Sequence, residues 1–237
     1  MLLVSMLLTA LYLTGAPQTH VVLMHTNDIH GHVLPENGVG GLAIIAAIVK
    51  QQHPDILLDA GDMFSGTLVS DTFYGESVMA VMNRMGYRAS ILGNHEFDYG
   101  LKTLQDRVRQ ARFPILSANV VLPFNAVGKT RVIPIKGIRF GIVGLTTEET
   151  PTTTHPKNVK DVQFLDVIQT LERILPSLKN TSAAIKARSE PVTTSVNVRP
   201  WRSARKSSRE IEIVIFESRP ALAEEKVLLQ VQILHLQ

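Results

Sequence analysis

Asn94, His95, Glu96 and Asp98 place an amide, an imidazole and two carboxylates in the stretch GNHEFDYG, bracketed by Gly93 and Gly100. Two further polar clusters precede it. HTNDIHGH sets Asp28 and His30 two residues apart, so that one turn aims a carboxylate and an imidazole at a common point, and DAGDMFSG sets Asp62 directly after Gly61. Singly these are bland: a D-x-H is more often a solvated loop, a G-D more often a turn, and an Asn-His pair often caps a helix. Together they are not. Each follows a short apolar run, and the gaps from Asp28 to Asp62 and from Asp62 to Asn94 are 34 and 32 residues.

The chemistry such a set performs is that of a two-metal site. Two cations a few ångströms apart need a bridging carboxylate, and mixed ligation by Asp, His and Asn suits divalent zinc, manganese, iron or cobalt. Asp62 is the natural bridge, Asp28 and His30 hold one ion, and Asn94 helps hold the other. Such ions polarise a phosphoryl group and lower the pKa of a bridging water to roughly 7, which supplies hydroxide for in-line attack. His95 is then free to stabilise or protonate the leaving oxygen, and Asp98, three residues on, fixes its tautomer and favours the imidazolium.

The elements between the clusters must bring them together. VVLMH, DILLDAGD and ASILGNHE read as strands; LAIIAAIVKQQ, GESVMAVMNRMG and LKTLQDRVRQARF read as helices; PILSANVV reads as a further strand. RVIPIKG with IRFGIVGLT forms a hairpin, and FLDVIQTLERILPSLK is an amphipathic helix. Strands alternating with helices predict an α/β sandwich with a largely parallel sheet, where ligand sites gather in loops at the carboxyl ends of strands. All the polar clusters fall at such ends.

D-x-H, then G-D, then G-N-H-E is the signature of the calcineurin-like metallophosphoesterases, and HTNDIHGH, DAGDMFSGT and GNHEFDYG resemble the 5′-nucleotidase and UDP-sugar hydrolase branch. The resemblance covers residues 20 to about 178. It implies a four-layer α/β/β/α fold, two divalent metal ions held by Asp28, His30, Asp62 and Asn94, and a catalytic pair of His95 with Asp98. It also implies hydrolysis of nucleotide phosphate esters outside the cytoplasm, as in nucleotide catabolism. LSANV and GLTTEETP resemble the same branch without a chemical role that their residues define. Members of the branch carry two later histidine motifs, a strand ending in Ser/Thr-His and a Gly-His-x-His, and a separate C-terminal domain that helps hold the base. After His95 this chain has only His155, read as a solvated loop histidine, and His235, neither with the required neighbours. Loss of those ligands predicts severely reduced activity, or a protein that only binds nucleotide, metal or a polyanion.

The chain has 237 residues, 45% hydrophobic and 19% charged, ordinary for a soluble domain. No cysteine occurs, which excludes disulfides, thiolate nucleophiles and zinc–cysteine sites. The net charge of +3 comes from one end: residues 1–179 hold 15 Lys+Arg and 15 Asp+Glu, residues 180–237 hold 9 and 6. All 15 glycines lie at or before Gly144, and the last aspartate is Asp166. This shift reads as a frameshift, alternative splice or intron read-through near residue 180, with a genuinely divergent tail as its rival. Within the tail, RPWRSARKSSR offers a basic contact for a polyanion or reads as a solvated linker, EIEIVIFES and KVLLQVQILHL read as strands, and Asn180 heads an N-x-S sequon.

Residues 1–19 read as a signal peptide: the apolar run from Leu2 to Thr14 is too short to span a bilayer and ends in small residues, although no Lys or Arg occurs before Lys50. A buried strand or helix is the alternative reading of that run. The expected organisation is therefore a signal peptide (1–19), a metallophosphoesterase domain (20–179) and an atypical basic tail (180–237). It implies a secreted or periplasmic protein, a phosphate-ester substrate, no transmembrane span and no specific nucleic-acid partner; nothing in the sequence speaks to oligomeric state. Two motifs are decoys. GVGGLA fits G-x-G-x-x-A but stands about a dozen residues beyond its strand, so its glycines more simply begin a helix, and FSG around Ser65 lacks the G-x-S-x-G elbow of serine hydrolases.

Overall fold

The computed structural model describes residues 19–36, 40–179, 211–217 and 228–236, the last two stretches as backbone. Successive side chains of a strand face opposite ways, and that alternation builds the layers. In β1 (Thr19–Asn27), Val21 and Leu23 enter one core and Met24 another; in β2 (Ile56–Asp59), Ile56 and Leu58 join the first and Leu57 the second. β3 (Ala89–Ile91) and β4 (Ile115–Leu116) extend the parallel order β1-β2-β3-β4.

Helices cover the outer face of this sheet. α1 (Leu42–Gln52) buries Leu42, Ile45 and Val49, and its start is set by Gly41 at φ 83°, where the sequence placed glycines to open a helix. The short α2 (Leu68–Thr72) leads to α3 (Glu76–Met85), which contributes Val78, Met79 and Met82, and α4 (Gly100–Gln110) adds Leu104 and Val108.

The inner face meets a second sheet. β6 (Thr130–Ile135) and β7 (Ile138–Leu145) form the expected hairpin, and Ile133, Phe140 and Ile142 pack against Leu23, Leu58 and Ile91 of the first sheet. The opposite parity of β7, Val143 and Leu145, packs on Val167, Leu171 and Leu178. The last three belong to a helix that follows the short helices α5 (Thr150–Thr153) and α6 (Pro156–Val159), namely α7 (Val167–Lys179). Helices, sheet, sheet and helix make four layers, as the sequence implies.

PILSANVV departs from its expected single strand. It breaks into β4 and β5 (Val120–Val121), and β5 pairs with β8 (Gln163–Phe164) instead of the main sheet. The reason is Asn119, whose side chain donates to the Thr146 and Leu165 carbonyls at 2.8 and 3.1 Å and accepts from the Thr146 amide at 2.9 Å. Thr146 in turn donates to the Leu92 carbonyl at 2.8 Å. Thus LSANV and GLTTEETP supply struts that tie the ends of the strands together.

Both strands read from the tail are present. β9 (Ile211–Glu217) runs parallel to β7, and β10 (Leu228–Leu236) runs antiparallel to β1. The signal-peptide reading, the sequon and the basic run fall outside the described residues. Among the described residues no helix is long and apolar enough to cross a membrane.

Beneath the carboxyl ends of the first sheet lies a buried acid. Asp59 accepts from Thr26 Oγ1 at 2.6 Å, Ser90 Oγ at 2.8 Å and the Gly61 amide at 3.0 Å, and burial pushes its carboxyl up to about 7. A carboxyl whose folded pKa lies above its unfolded value contributes stability that is full below the unfolded pKa and lost as pH rises through the folded one. Urea midpoints for wild type and Asp59→Asn are therefore expected to converge, or cross, as pH climbs from the ordinary aspartate value of 3.8 to about 7, and to run parallel above that.

Candidate metal centre

Each sequence-predicted ligand stands in a loop at the carboxyl end of a parallel strand, and the loops are zipped to one another. The Asp28 amide donates to the Gly61 carbonyl at 3.1 Å, His30 to Asp62 at 2.9 Å, and Gly31 to Met63 at 2.9 Å. Asp28, His30 and Asp62 adopt φ of 53°, 43° and 58°. Residues with a Cβ seldom enter this left-handed region, and each costs about 1–3 kcal/mol there. Strain at all three is what it takes to turn their side chains inward from adjacent loops.

They converge. One ligand atom from each of Asp28, His30 and Asp62 lies within 4.8 Å of the others, and His30 Nε2 stands 3.7 Å from Asp28 Oδ1. Asn94 follows Gly93, which Asp62 packs against, and precedes His95, whose amide donates to Asp62 Oδ1 at 2.9 Å. Gly93 has no alternative: a Cβ there would stand 2.1 Å from Asp62 Oδ1.

The donor set fits a divalent cation on two observations. Asn94 is buried to 1% exposure, yet its Oδ1 has no hydrogen-bond partner, an orphan acceptor of the kind a cation satisfies. Burial, and then the Glu96 charge, push the Asp62 carboxyl well above its ordinary value, a shift that a positive charge beside it would oppose. At His30 burial pulls the imidazole down, but the Asp28 hydrogen bond and the Asp62 charge outweigh it and the net shift is upward.

His95 and Asp98 lie at the rim. His95 Nδ1 meets Asp98 Oδ2 at 2.7 Å, which raises the imidazole, and the His95 ring stands edge-on to His30 with centroids 4.8 Å apart. Burial raises the Asp98 carboxyl, but hydrogen bonds from His95 and Ser65 bring the net value down. An ionised Asp98 keeps the proton on Nδ1 and leaves Nε2 for other work. Beside the centre, Leu34, Glu36, Thr67 and Leu68 line a cavity of about 360 Å³ next to Gly31 and Gly66.

Sequence reasoning passed over Glu96. At 1% exposure its carboxylate accepts the amides of Asp62 at 2.9 Å, Met63 at 2.6 Å and Gly93 at 2.6 Å, and so ties the Asp62 loop to the Asn94 loop. The signal was present as a carboxylate between a histidine and an apolar residue in GNHEF, but its partners are backbone amides that no side-chain pattern reveals. Thr154 and Asn158 were missed likewise: they donate to Asp98 Oδ1 at 2.9 Å and to the Asp98 carbonyl at 2.7 Å. His155 between them is exposed and accepts from the Lys157 amide at the start of α6, consistent with a solvated loop histidine. His235 sits in β10 opposite His20. Among the described residues, Asp28, His30 and Asp62 are the one acid and histidine group that converges in this way.

The chain belongs to the calcineurin-like phosphoesterase family, whose pattern matches residues 21–216, and its four layers are the metallophosphoesterase sandwich. It is similar to the 5′-nucleotidase of Rattus norvegicus, 34% identical over 193 residues that cover 69% of this chain and 32% of the relative. The snake venom 5′-nucleotidase of Gloydius brevicauda is 33% identical over 187 residues, 67% of this chain and 30% of the relative. Among solved structures, the 5′-nucleotidase precursor of Thermus thermophilus is 34% identical with a TM-score of 0.60, covering 70% of this chain and 36% of that one. The chain thus spans about a third of the length of these relatives.

Removing Glu96 tests the tie between the loops. Glu96→Ala strands buried amides at Asp62, Met63 and Gly93, at a cost of about 3 kcal/mol or more. Glu96→Gln keeps an acceptor oxygen and is expected to lose less than half of that. Urea unfolding of both variants measures the difference.

Proposed function

We propose that this chain is a divalent-metal phosphoester hydrolase of the 5′-nucleotidase kind, acting on nucleoside monophosphates at a rate far below that of a complete two-metal centre. The observation that carries this reading is the convergence of Asp28, His30 and Asp62 in strained backbone beside the unpartnered oxygen of Asn94. Asp28 and His30 would hold one ion, Asp62 would bridge, and Asn94 would share the second. When bound, such ions neutralise phosphoryl charge and make water nucleophilic near neutral pH.

The chain's own residues do the rest. Ionised Asp98 holds the proton on His95 Nδ1, and the raised imidazole donates from Nε2 to the departing ester oxygen. The cavity beside Leu34 and Leu68, exposed at 61% and 84%, takes the alcohol portion of the ester. The Glu96 tie keeps the Asp62 and Asn94 loops in place while charge moves between them. The slow rate follows from the ligand set, which within the described residues has a single imidazole.

Residues 1–19 as a signal peptide and a destination outside the cytoplasm belong to the same proposal. Similarity to a venom enzyme is in keeping with it. The division into a metallophosphoesterase domain over 20–179 and a basic tail over 180–237 belongs to the proposal too.

The test is phosphate release from AMP by the purified full chain with manganese. Release above background that is lost in Asp62→Asn, and reduced about 100-fold or more in His95→Ala, supports the proposal. Saturable AMP binding without release favours a nucleotide binder, and salt-sensitive retention on heparin without either favours a polyanion binder.

A further inference from the structure

Ser65 ends the loop that carries Asp62, and neither the metal set nor the catalytic pair accounts for it. Its hydroxyl lies 2.5 Å from Asp98 Oδ2 and 3.2 Å from His95 Nδ1, closing a triangle with the 2.7 Å contact between His95 and Asp98. Ser, His and Asp in mutual contact invite a nucleophilic triad, but the geometry excludes one. A triad serine bonds the imidazole nitrogen opposite the acid; here Ser65 and Asp98 both address Nδ1.

The triangle does something else. Asp98 Oδ1 is held by Thr154 at 2.9 Å and its carbonyl by Asn158 at 2.7 Å, both from the segment after β7. That leaves Oδ2 as the oxygen facing His95, and the Ser65 hydroxyl donates to it from beside the His95 ring nitrogen. Without it, Oδ2 keeps only the His95 contact, and the His95–Asp98 pair loses this tie to the loop that carries Asp62. Ser65 is half-buried, so the hydroxyl also keeps water from the Nδ1 proton.

We propose that Ser65 is a positioning residue: through Asp98 Oδ2 it registers the His95 ring, whose tautomer Asp98 sets, against the loop bearing Asp62 and shields the Nδ1 proton. The inference rests on the hydrolytic reading of the site for its effect on turnover, but not for its effect on the ring. Asp98 and Ser65 come from different strands' loops, so the hydroxyl joins the bond from the His95 amide to Asp62 in tying the catalytic pair to the metal-bearing loop.

The experiment uses the full chain labelled with nitrogen-15 histidine, with the His95→Gln spectrum assigning the resonance. Wild type and Ser65→Thr, which keeps the hydroxyl, are expected to show His95 as Nδ1–H with a protected proton. Ser65→Ala is expected to keep the Nδ1–H tautomer that Asp98 sets but to show proton exchange at least tenfold faster. Turnover of AMP with manganese is expected to fall about tenfold in Ser65→Ala with KM unchanged, well short of losing the general acid itself. Ser65→Gly deletes the same hydroxyl and supplies a second measurement should the alanine variant fold poorly. A wild-type exchange rate in a folded Ser65→Ala or Ser65→Gly protein overturns the proposal. Absence of turnover in wild type removes the hydrolytic reading alone, because the ring measurement still decides the role of Ser65.

Discussion

The Glu96 carboxylate, buried and shared among the amides of Asp62, Met63 and Gly93, is the interaction on which the centre depends. A buried carboxylate is costly unless hydrogen bonds repay its desolvation, and here burial does push Glu96 upward against the three amides that favour its charge. The return on that cost is geometric. Loops after β2 and β3 have no strand ladder between them at this level, and Glu96 replaces the ladder with side-chain bonds. The Asp28 loop is then carried along by its own backbone zip to Gly61, Asp62 and Met63.

This arrangement lets the scaffold sustain local strain. Asp28, His30 and Asp62 all sit at positive φ, a conformation that the surrounding hydrogen bonds must overdetermine if it is to persist. The parallel strands below are short, β3 spanning only Ala89–Ile91, yet they are buried on both faces between two cores. Rigid strands and short zipped loops place the three side chains.

The four layers were legible because hydrophobic parity in VVLMH, DILLD and IRFGIVGL is regular, and parity alone decides which core each side chain enters. The convergence of Asp28, His30 and Asp62 was legible because Asp and His after successive strands form a pattern in residue type. What escaped was carried by backbone partners: Glu96 bonds to amides, Thr154 and Asn158 come from a segment some 60 residues away in the chain, and Asn119 broke an apparently continuous strand by bonding to Thr146 and Leu165. Ser65 escaped because FSG was weighed as a nucleophile motif and set aside. Its partners lie 30 and 33 residues on, across the loops.

Gly93 gives the centre a particular fragility. Its backbone lies outside the left-handed region, so an alanine could adopt it without torsional penalty; what forbids the substitution is space already filled by the Asp62 carboxylate. One methyl group at this position would compete for volume with the Asp62 side chain while leaving the apolar cores untouched. A descendant of this chain could thus lose the convergence of Asp28, His30 and Asp62 and keep its shape, and only the residue beside Asn94 would record the difference.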